Sequence, residues 1–311
     1  MFLFIPSNES GVVVDPYMRA NLESIEIPED VFIYSHGWWT SAVDAMISYN
    51  RFAAGLNSAA PPAGKYLAIG IHWPSMLSEN QRDWINCVES ASFFTMEQRA
   101  EHVGRHAAAD VLRSIFQRIK TGVNLRVHLL GHSFGCKVIC AALAEMIATT
   151  PRDLWASAQF NLVLLQAAVE DDCLAPQGRY GTISQVPKLR ILMTKSSQDT
   201  ALCAHYPRAH ALEWFDHEDR VALGAKGPAP AMLSQFAQPQ NMVLNDADMP
   251  FARNIPFLVV DLSEIHRRRA LGGLFKPRPF AGQHSDIYFP KVYGLLGRFL
   301  NSLKVPDGRS D

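Results

Sequence analysis

The segment Gly131-His132-Ser133-Phe134-Gly135 sets a serine between two glycines in the spacing G-x-S-x-G. It follows the apolar run Leu125–Leu130, which predicts a strand, and it precedes a helical pattern. In a tight strand-to-helix turn such a serine is strained and its hydroxyl is exposed, while the glycines leave room for it. The pattern predicts Ser133 as a nucleophile and the backbone N–H of Phe134 as a donor to an oxyanion. The alternative is a Gly-Ser turn with a structural role only.

The elements around this turn follow the order of an α/β fold. Short β-branched or aliphatic runs alternate with longer helical patterns, which is typical of a mostly parallel central sheet with helices on both faces. The four runs between Val31 and Gln166 are almost continuously apolar, as expected for strands that are buried on both faces. The predicted strands are Gly11–Val14, Val31–Ser35, Tyr66–Ile71, Leu125–Leu130, Phe160–Gln166, Leu189–Thr194 and Phe257–Asp261.

Three helices are predicted from the spacing of apolar residues and from proline. In Met96–Lys120 an apolar residue recurs at every fourth position from Val103 to Ile119, which indicates an amphipathic helix. Phe134–Thr149 follows the serine turn and ends before a proline, which cannot continue a helix. Pro290–Leu303 has proline in its first turn and predicts a terminal helix.

Two long insertions, at about 73–96 and 201–256, interrupt the alternation of strands and helices. Segments of this length within a compact domain are usually lids or binding loops. Since ligand pockets are lined mainly by apolar side chains, we expect Trp73, Trp84 and Trp214 in these segments to contact substrate. The alternative is that these aromatic side chains complete the core. With no internal repeat and no linker, residues 1–311 are predicted to form one elaborated domain.

From about Val31 to Leu303 the sequence resembles the α/β-hydrolase superfamily, on the strength of the G-x-S-x-G turn between a strand and a helix. The resemblance implies an esterase-like or lipase-like serine hydrolase with a Ser-His-Asp triad, whose members follow in the order Ser, Asp or Glu, His. His284 lies after the last predicted strand and before the final helix, where the family places its base. His266 also follows that strand, but the arginines beside it would depress the pKa of a base.

The resemblance also implies an acid in the loop after the penultimate strand. Asp199 follows Leu189–Thr194 in that position. Asp171 and Asp172, one strand earlier, remain alternatives because some members of the family use that place. A purely structural role for Asp199 also remains open, since aspartate before a helical Ala-Leu sequence is a common N-cap.

A second oxyanion donor is implied by His36-Gly37-Trp38-Trp39, which resembles the family's His-Gly-X turn. In that turn the N–H groups of Trp38 and Phe134 would both donate to the oxyanion. Trp39 replaces Trp38 if the turn is one residue longer. One such donor typically stabilises a transition state by about 3 kcal/mol. The alternative is a glycine turn followed by two core tryptophans.

Composition argues against several other classes of protein. The 29 Lys+Arg nearly balance the 30 Asp+Glu, so the net charge gives no sign of the basic face that nucleic acid requires. Hydrophobic residues make up 48% of the chain, which excludes a disordered protein. Five cysteines without paired C-x-x-C spacing argue against a disulfide framework and against a structural zinc site. No stretch of the sequence approaches the ~18 consecutive apolar residues that a membrane-spanning helix needs. We therefore expect a cytoplasmic protein without integral membrane contact.

The sequence gives no reason to expect a cofactor or a metal. Glycine-rich phosphate-binding motifs are absent, and His102 and His106 share a helix face without an evident third ligand. The predicted activity is the two-step hydrolysis of a carboxylic ester or thioester through an acyl-enzyme on Ser133. An acyltransferase that uses the same triad, and a non-catalytic binding or scaffold member of the fold, are the alternatives.

Overall fold

Eight parallel strands form one sheet in the order β1-β3-β2-β4-β5-β6-β8-β7. They are seen in a computed structural model of the chain, which describes residues 2–59, 64–76, 89–119, 124–211, 220–236, 238–244, 255–272, 284–285 and 287–301. The strands are β1 (Phe2–Pro6), β2 (Asp30–Ser35), β3 (Tyr66–His72), β4 (Arg126–His132), β5 (Gln159–Leu165), β6 (Leu189–Lys195), β7 (Gln240–Val243) and β8 (Phe257–Asp261).

Helices cover both faces of this sheet. They are α1 (Pro16–Ser24), α2 (Ala42–Ala59), α3 (Glu89–Val103), α4 (Ala109–Gln117), α5 (Gly135–Thr149), α6 (Arg152–Trp155), α7 (Tyr206–Ala211), α8 (Leu223–Lys226), α9 (Pro230–Leu233), α10 (Ser263–Gly272) and α11 (Pro290–Asn301). Gly104–Ala108 and Ala201–His205 are π-helical, and Gly181–Gln185 is a 3₁₀ helix. Within the described segments no helix is both long and apolar enough to cross a membrane.

The central strands are apolar because each of their faces packs against a separate layer of helices. Along β5, Leu162 and Leu164 belong to one core with α3, α4 and α5, whereas Val163 and Leu165 belong to the other core with α2 and α11. Neighbouring side chains of a strand point to opposite faces, so a strand covered on both faces is mainly apolar along its whole length. The expected α/β fold with a parallel sheet is confirmed.

The predicted strand Gly11–Val14 is wrong, and a strand at Phe2–Pro6 takes its place at the edge of the sheet. Val12 and Val14 are exposed, and Gly11 has a left-handed backbone with φ +72°. The segment contributes one isolated antiparallel bridge, between Val13 and Ser7. Valine content alone favoured this segment, but strand formation also requires a partner edge, and β1 already occupies that edge of β3.

Two further elements differ from the sequence prediction. The short strand β7 (Gln240–Val243) lies inside the second insertion, where no strand was predicted. The helix predicted at Met96–Lys120 begins earlier, at Glu89, and passes through the π-helical turn Gly104–Ala108. An α-helix has 3.6 residues per turn, so apolar residues spaced four apart move gradually from one side of the helix to another. A π-helical turn contains more residues than an α-helical turn, and it brings the apolar residues back toward the same side.

A ladder of polar side chains crosses four strands of the sheet. Asp30 on β2 accepts a bidentate hydrogen bond from Arg126, at 2.7 and 2.6 Å, and a third from the His128 Nε2–H at 3.1 Å. The amide of Asn161 then joins His128 Nδ1, at 3.0 Å, to the buried guanidinium of Arg190, at 3.3 Å. Burial alone would raise the pKa of Asp30, but its bonds to Arg126 and His128 hold that pKa well below the usual value. Asp30 is therefore ionised and fully paired.

We expect Asp30→Asn to lower the free energy of unfolding by about 2 kcal/mol, because the amide removes the buried negative charge and cannot accept at both positions that Arg126 and His128 use. Urea denaturation at pH 7 measures the change. The matched control is Glu264→Gln, which removes an exposed carboxylate that pairs with Arg268 on α10 and is expected to move the midpoint little. Equal midpoints for the two variants would contradict the role given to the ladder.

Candidate active site

Ser133 lies in a strained turn between β4 and α5. Its backbone is left-handed, with φ +56°, and its N–H donates to the carbonyl of Leu165 on the neighbouring strand at 3.1 Å. A Cβ atom at Gly135 would stand 2.2 Å from the carbonyl oxygen of Ser35, so only glycine allows α5 to begin this close to the end of β2. The G-x-S-x-G spacing therefore reflects packing against β2 as well as the turn itself.

Asp199 and His284 meet although 85 residues separate them in the chain. The Nδ1 atom of His284 lies 2.7 Å from Asp199 Oδ2, and Asp199 is fully buried. Because a carboxylate only accepts, Nδ1 carries the proton of the neutral ring, and Nε2, which forms no hydrogen bond with a described residue, is the unprotonated nitrogen. The pair therefore has the tautomer that a general base requires.

Two other donors fix the Asp199 carboxylate. The side-chain amide of Gln166, which follows β5 with a left-handed φ of +43°, donates to Oδ2 at 2.9 Å. The N–H of Leu202 donates to Oδ1 at 3.1 Å, so Asp199 also makes the helix-capping contact that was the structural alternative. Burial alone would raise the pKa of Asp199, but His284 and these donors outweigh it, so the pKa lies below its usual value.

Asp171 and Asp172 occupy a different environment. Both backbone groups of Asp171 are bonded to the segment beyond residue 220, its N–H to Val221 and its carbonyl to the N–H of Ala229. Across the described residues neither carboxylate forms a hydrogen bond or ion pair with His284, whose Nδ1 is already bonded to Asp199. Geometry thus favours Asp199 over these two as the partner of His284.

His132, immediately before Ser133, holds the backbone of His284. Its Nε2–H donates to the His284 carbonyl at 2.9 Å, and the two rings lie 5.0 Å apart. Burial and the neighbouring His284 lower the pKa of His132 to about 3, so it stays neutral at physiological pH. The Ser133 hydroxyl forms no hydrogen bond with any described residue. In unliganded active sites the nucleophile–base hydrogen bond is often long and tightens when substrate binds.

The turn after β2 lies directly against the serine. A Cβ atom at Gly37 would stand 2.8 Å from the Ser133 Cβ. Among the described residues the N–H groups of Trp38 and Phe134 have no acceptor, whereas the N–H of Trp39 donates to the Ser75 carbonyl at 3.0 Å. Of the two predicted donors in this turn, Trp38 is therefore the one whose amide is available to a ligand.

His36 braces this turn from inside the protein. Its Nδ1–H donates to the Gly37 carbonyl at 2.8 Å, and its Nε2 accepts the N–H of Trp73 at 3.3 Å. Burial lowers the pKa of His36 to about 3, so the ring is neutral and its two bonds need no rearrangement near pH 7. None of these contacts of His36 and His132 is predicted from the sequence, in which the two residues belong only to the predicted oxyanion turn and the serine turn.

Trp73 lies in the hydrophobic core and exposes no surface to a substrate, which corrects the expectation that it lines a pocket. Its ring stacks on His36 at 5.5 Å, and its indole N–H donates to the His36 carbonyl at 3.0 Å. Trp84 and Trp214 lie outside the described residues, so their predicted contact with substrate stays a prediction. From the first insertion, Phe93 does reach the site, with its ring 5.1 Å from that of Phe134.

No metal centre accompanies these groups in the part of the chain that the structure describes, where no three His, Cys, Asp or Glu side chains come close enough to hold an ion. His102 and His106 stack on each other at 5.7 Å on the helix, and His106 Nδ1 is bonded to the His102 carbonyl. Among the described residues, His102 and His106 therefore lack the third ligand that a metal site would need.

A family model described as an alpha/beta hydrolase of unknown function (DUF900) matches residues 18–206, which is more than half of the chain. That range contains β2 to β6, the Ser133 turn and Asp199, and it ends before His284. No curated protein matches the chain.

We expect the protein to lose stability as the pH falls from 7.5 to 5.5, in part through His36. Its pKa is about 3 in the folded state against 6.5 in an unfolded chain, so the unfolded state binds the extra proton and is favoured by acid. His36 alone accounts for about 1.4 kcal/mol over this range. Urea denaturation at both pH values measures the loss, which should be smaller by that amount in His36→Gln. The exposed His106→Gln serves as control, and an equal loss in wild type and His36→Gln would contradict the assignment.

Proposed function

The chain belongs to the DUF900 family of alpha/beta hydrolases, and we propose that it is a serine hydrolase that cleaves a carboxylic ester or thioester through an acyl-enzyme on Ser133. The observation that carries this proposal is the buried Asp199–His284 hydrogen bond of 2.7 Å beside a left-handed serine turn. A structural glycine turn would not require a buried carboxylate to orient a histidine from a distant loop next to it.

The proposed nucleophile is the hydroxyl of Ser133, activated by His284. The turn supports this role because it gives Ser133 the strained backbone of a nucleophile turn at the edge of a sheet, although Ser133 is buried here rather than exposed as the sequence predicts. The tautomer of His284 supports the role of base, since its Nε2 is free to accept the serine proton. Asp199 then stabilises the imidazolium without itself taking the proton.

The proposed oxyanion hole consists of the N–H groups of Trp38 and Phe134. Both amides lie beside Ser133, and neither is used by another described residue. Amides held in place by the fold stabilise the developing charge without having to reorganise during the reaction, which is the reason that such donors are effective. The bonds of His36 and Trp73 to the turn after β2 support this rigidity.

The reaction then follows in two halves. Oγ of Ser133 attacks the carbonyl carbon while Nε2 of His284 takes the hydroxyl proton. The tetrahedral intermediate collapses, the C–O or C–S bond breaks, and the proton passes from His284 to the leaving alcohol or thiol. Water attacks the acyl-enzyme with His284 again as base, and the second collapse releases the carboxylic acid and restores Ser133. No step requires a cofactor.

We also propose a cytoplasmic location. The described cysteines are free thiols, and Cys136, Cys140 and Cys173 among them are buried. Free thiols are typical of proteins kept in a reducing compartment, which supports this location.

We expect Ser133→Ala and His284→Ala each to lower ester hydrolysis by about 10⁴-fold or more, because the members of such a triad act as a unit. Turnover of 4-nitrophenyl acetate and labelling by a fluorophosphonate probe measure the loss, and circular dichroism checks that the fold is kept. The matched control is Ser197→Ala, which removes an exposed serine hydroxyl bonded to Ser263. Wild-type turnover in a folded Ser133→Ala protein would rule out the proposed nucleophile.

Asp199→Asn should lower turnover by about 10³- to 10⁴-fold, since an asparagine amide that donates to Nδ1 leaves His284 in the wrong tautomer. Asp172→Asn should stay within a few fold of wild type, because its carboxylate does not contact His284. Steady-state kinetics on the same ester compares the two variants. If Asp172→Asn were the more damaged enzyme, the acid would have to be reassigned to the loop after β5.

A further inference from the structure

Trp39 adopts a backbone conformation that a bulky residue normally avoids. Its φ is +64°, in the left-handed region, where the side chain of an L-residue is crowded by its own backbone. Such conformations persist where the surrounding structure enforces them, and they cluster at functional sites. The Trp39 side chain is 44% exposed, so burial contributes little that would favour tryptophan at this position.

Ser75 holds this conformation in place. Its carbonyl accepts the N–H of Trp39 at 3.0 Å, and its hydroxyl accepts the N–H of Thr40 at 3.0 Å while donating to the Thr40 carbonyl at 2.9 Å. Ser75 is itself buried, so these bonds are shielded from water. The strained backbone is thus built into the turn, and the Trp39 ring is presented at its surface.

The ring of Trp39 continues an aromatic series that begins beside the proposed nucleophile. It stacks on Trp38, with ring centroids 5.6 Å apart and an interplanar angle of 17°. Trp38 in turn lies 6.0 Å from Phe134, the residue after Ser133. Burial decreases along this series, from fully buried Phe134 through partly buried Trp38 to exposed Trp39. The series therefore leads from Ser133 to solvent.

Beyond Trp39 the apolar surface extends along the first turns of α2. Val43, Met46 and Ile47 are 68%, 47% and 59% exposed. Their spacing of three and four residues puts them on one face of the helix. Since α2 begins at Ala42, this face follows Trp39 closely along the chain. Trp39 and these three residues are thus exposed apolar side chains within one stretch of nine residues.

We propose that Trp39 is a substrate-binding residue, whose indole packs against an extended apolar acyl chain of the ester attacked by Ser133. The proposal rests on the serine hydrolase function above and deepens it by naming a substrate class, esters of medium-chain to long-chain acids. The acyl chain runs along the Trp38–Trp39 stack toward Val43. Trp39 thereby selects among substrates by chain length, while taking no part in the bond-breaking steps.

The test compares wild type with Trp39→Gly and Trp39→Asn, since both new residues tolerate a left-handed backbone. Leu154→Ala on α6 is the matched control, because Leu154 is also a large exposed apolar residue, at 38%. The kcat/KM is measured on 4-nitrophenyl esters from acetate to decanoate. We expect both Trp39 variants to lose about tenfold or more on decanoate and less than about threefold on acetate, with Leu154→Ala unchanged. We also expect their melting temperatures to stay within about 3 °C of wild type or to rise.

Two results would overturn the proposal while leaving the serine hydrolase function intact. One is a wild-type chain-length profile in both Trp39 variants. The other is a large fall in the melting temperature of both variants, which would make Trp39 a structural residue. If wild type hydrolyses none of the esters and a fluorophosphonate leaves Ser133 unlabelled, the proposed function itself fails, and the role of Trp39 fails with it.

Discussion

The close approach of the β4–α5 turn to the end of β2 is the constraint on which the rest of the site depends. Gly135 lies against the carbonyl oxygens of Ser35 and His36, at distances that leave no room for a side chain. α5 therefore begins directly over the carboxyl end of β2, and Ser133 takes the left-handed backbone that this requires. The same contact brings Gly37 against Ser133, so the turn after β2 and the serine turn share one edge of the sheet.

Buried histidines that stay neutral give this edge its rigidity. His36 and His132 each have a pKa of about 3, mainly because burial penalises the charged ring. A neutral imidazole both donates and accepts, and His36 uses both functions on the turn after β2, while His132 holds the backbone of His284. Of these three rings only His284 is hydrogen-bonded to a carboxylate through Nδ1, which suits it to carry a transient positive charge. The surroundings of the three histidines thus give them different roles, with His36 and His132 as structural supports and His284 as the candidate base.

Sequence patterns were sufficient where the signal is local or follows from chain order. The buried strands β2 to β6 and β8 and the serine turn could be predicted because apolar runs and G-x-S-x-G are local signals. The pairing of Asp199 with His284 depends on where two distant loops end, and only the resemblance to a family suggested it. The contacts of Gln166 and His132 could not be predicted, because side chains from adjacent strand ends meet only after the sheet has formed. Phe2–Pro6 was missed for a related reason, since an edge strand is defined by the neighbour it pairs with.

The most direct test of this account is a crystal structure of the protein after reaction with an alkylphosphonate that carries a good leaving group. The phosphorus mimics the tetrahedral carbon of the acyl-transfer intermediate, so its position reports on every proposed group at once. The account predicts a bond from Ser133 Oγ to phosphorus, a phosphoryl oxygen within hydrogen-bond distance of the Trp38 and Phe134 amides, and His284 still bonded to Asp199. An adduct on any other residue, or a phosphoryl oxygen directed away from both amides, would contradict it.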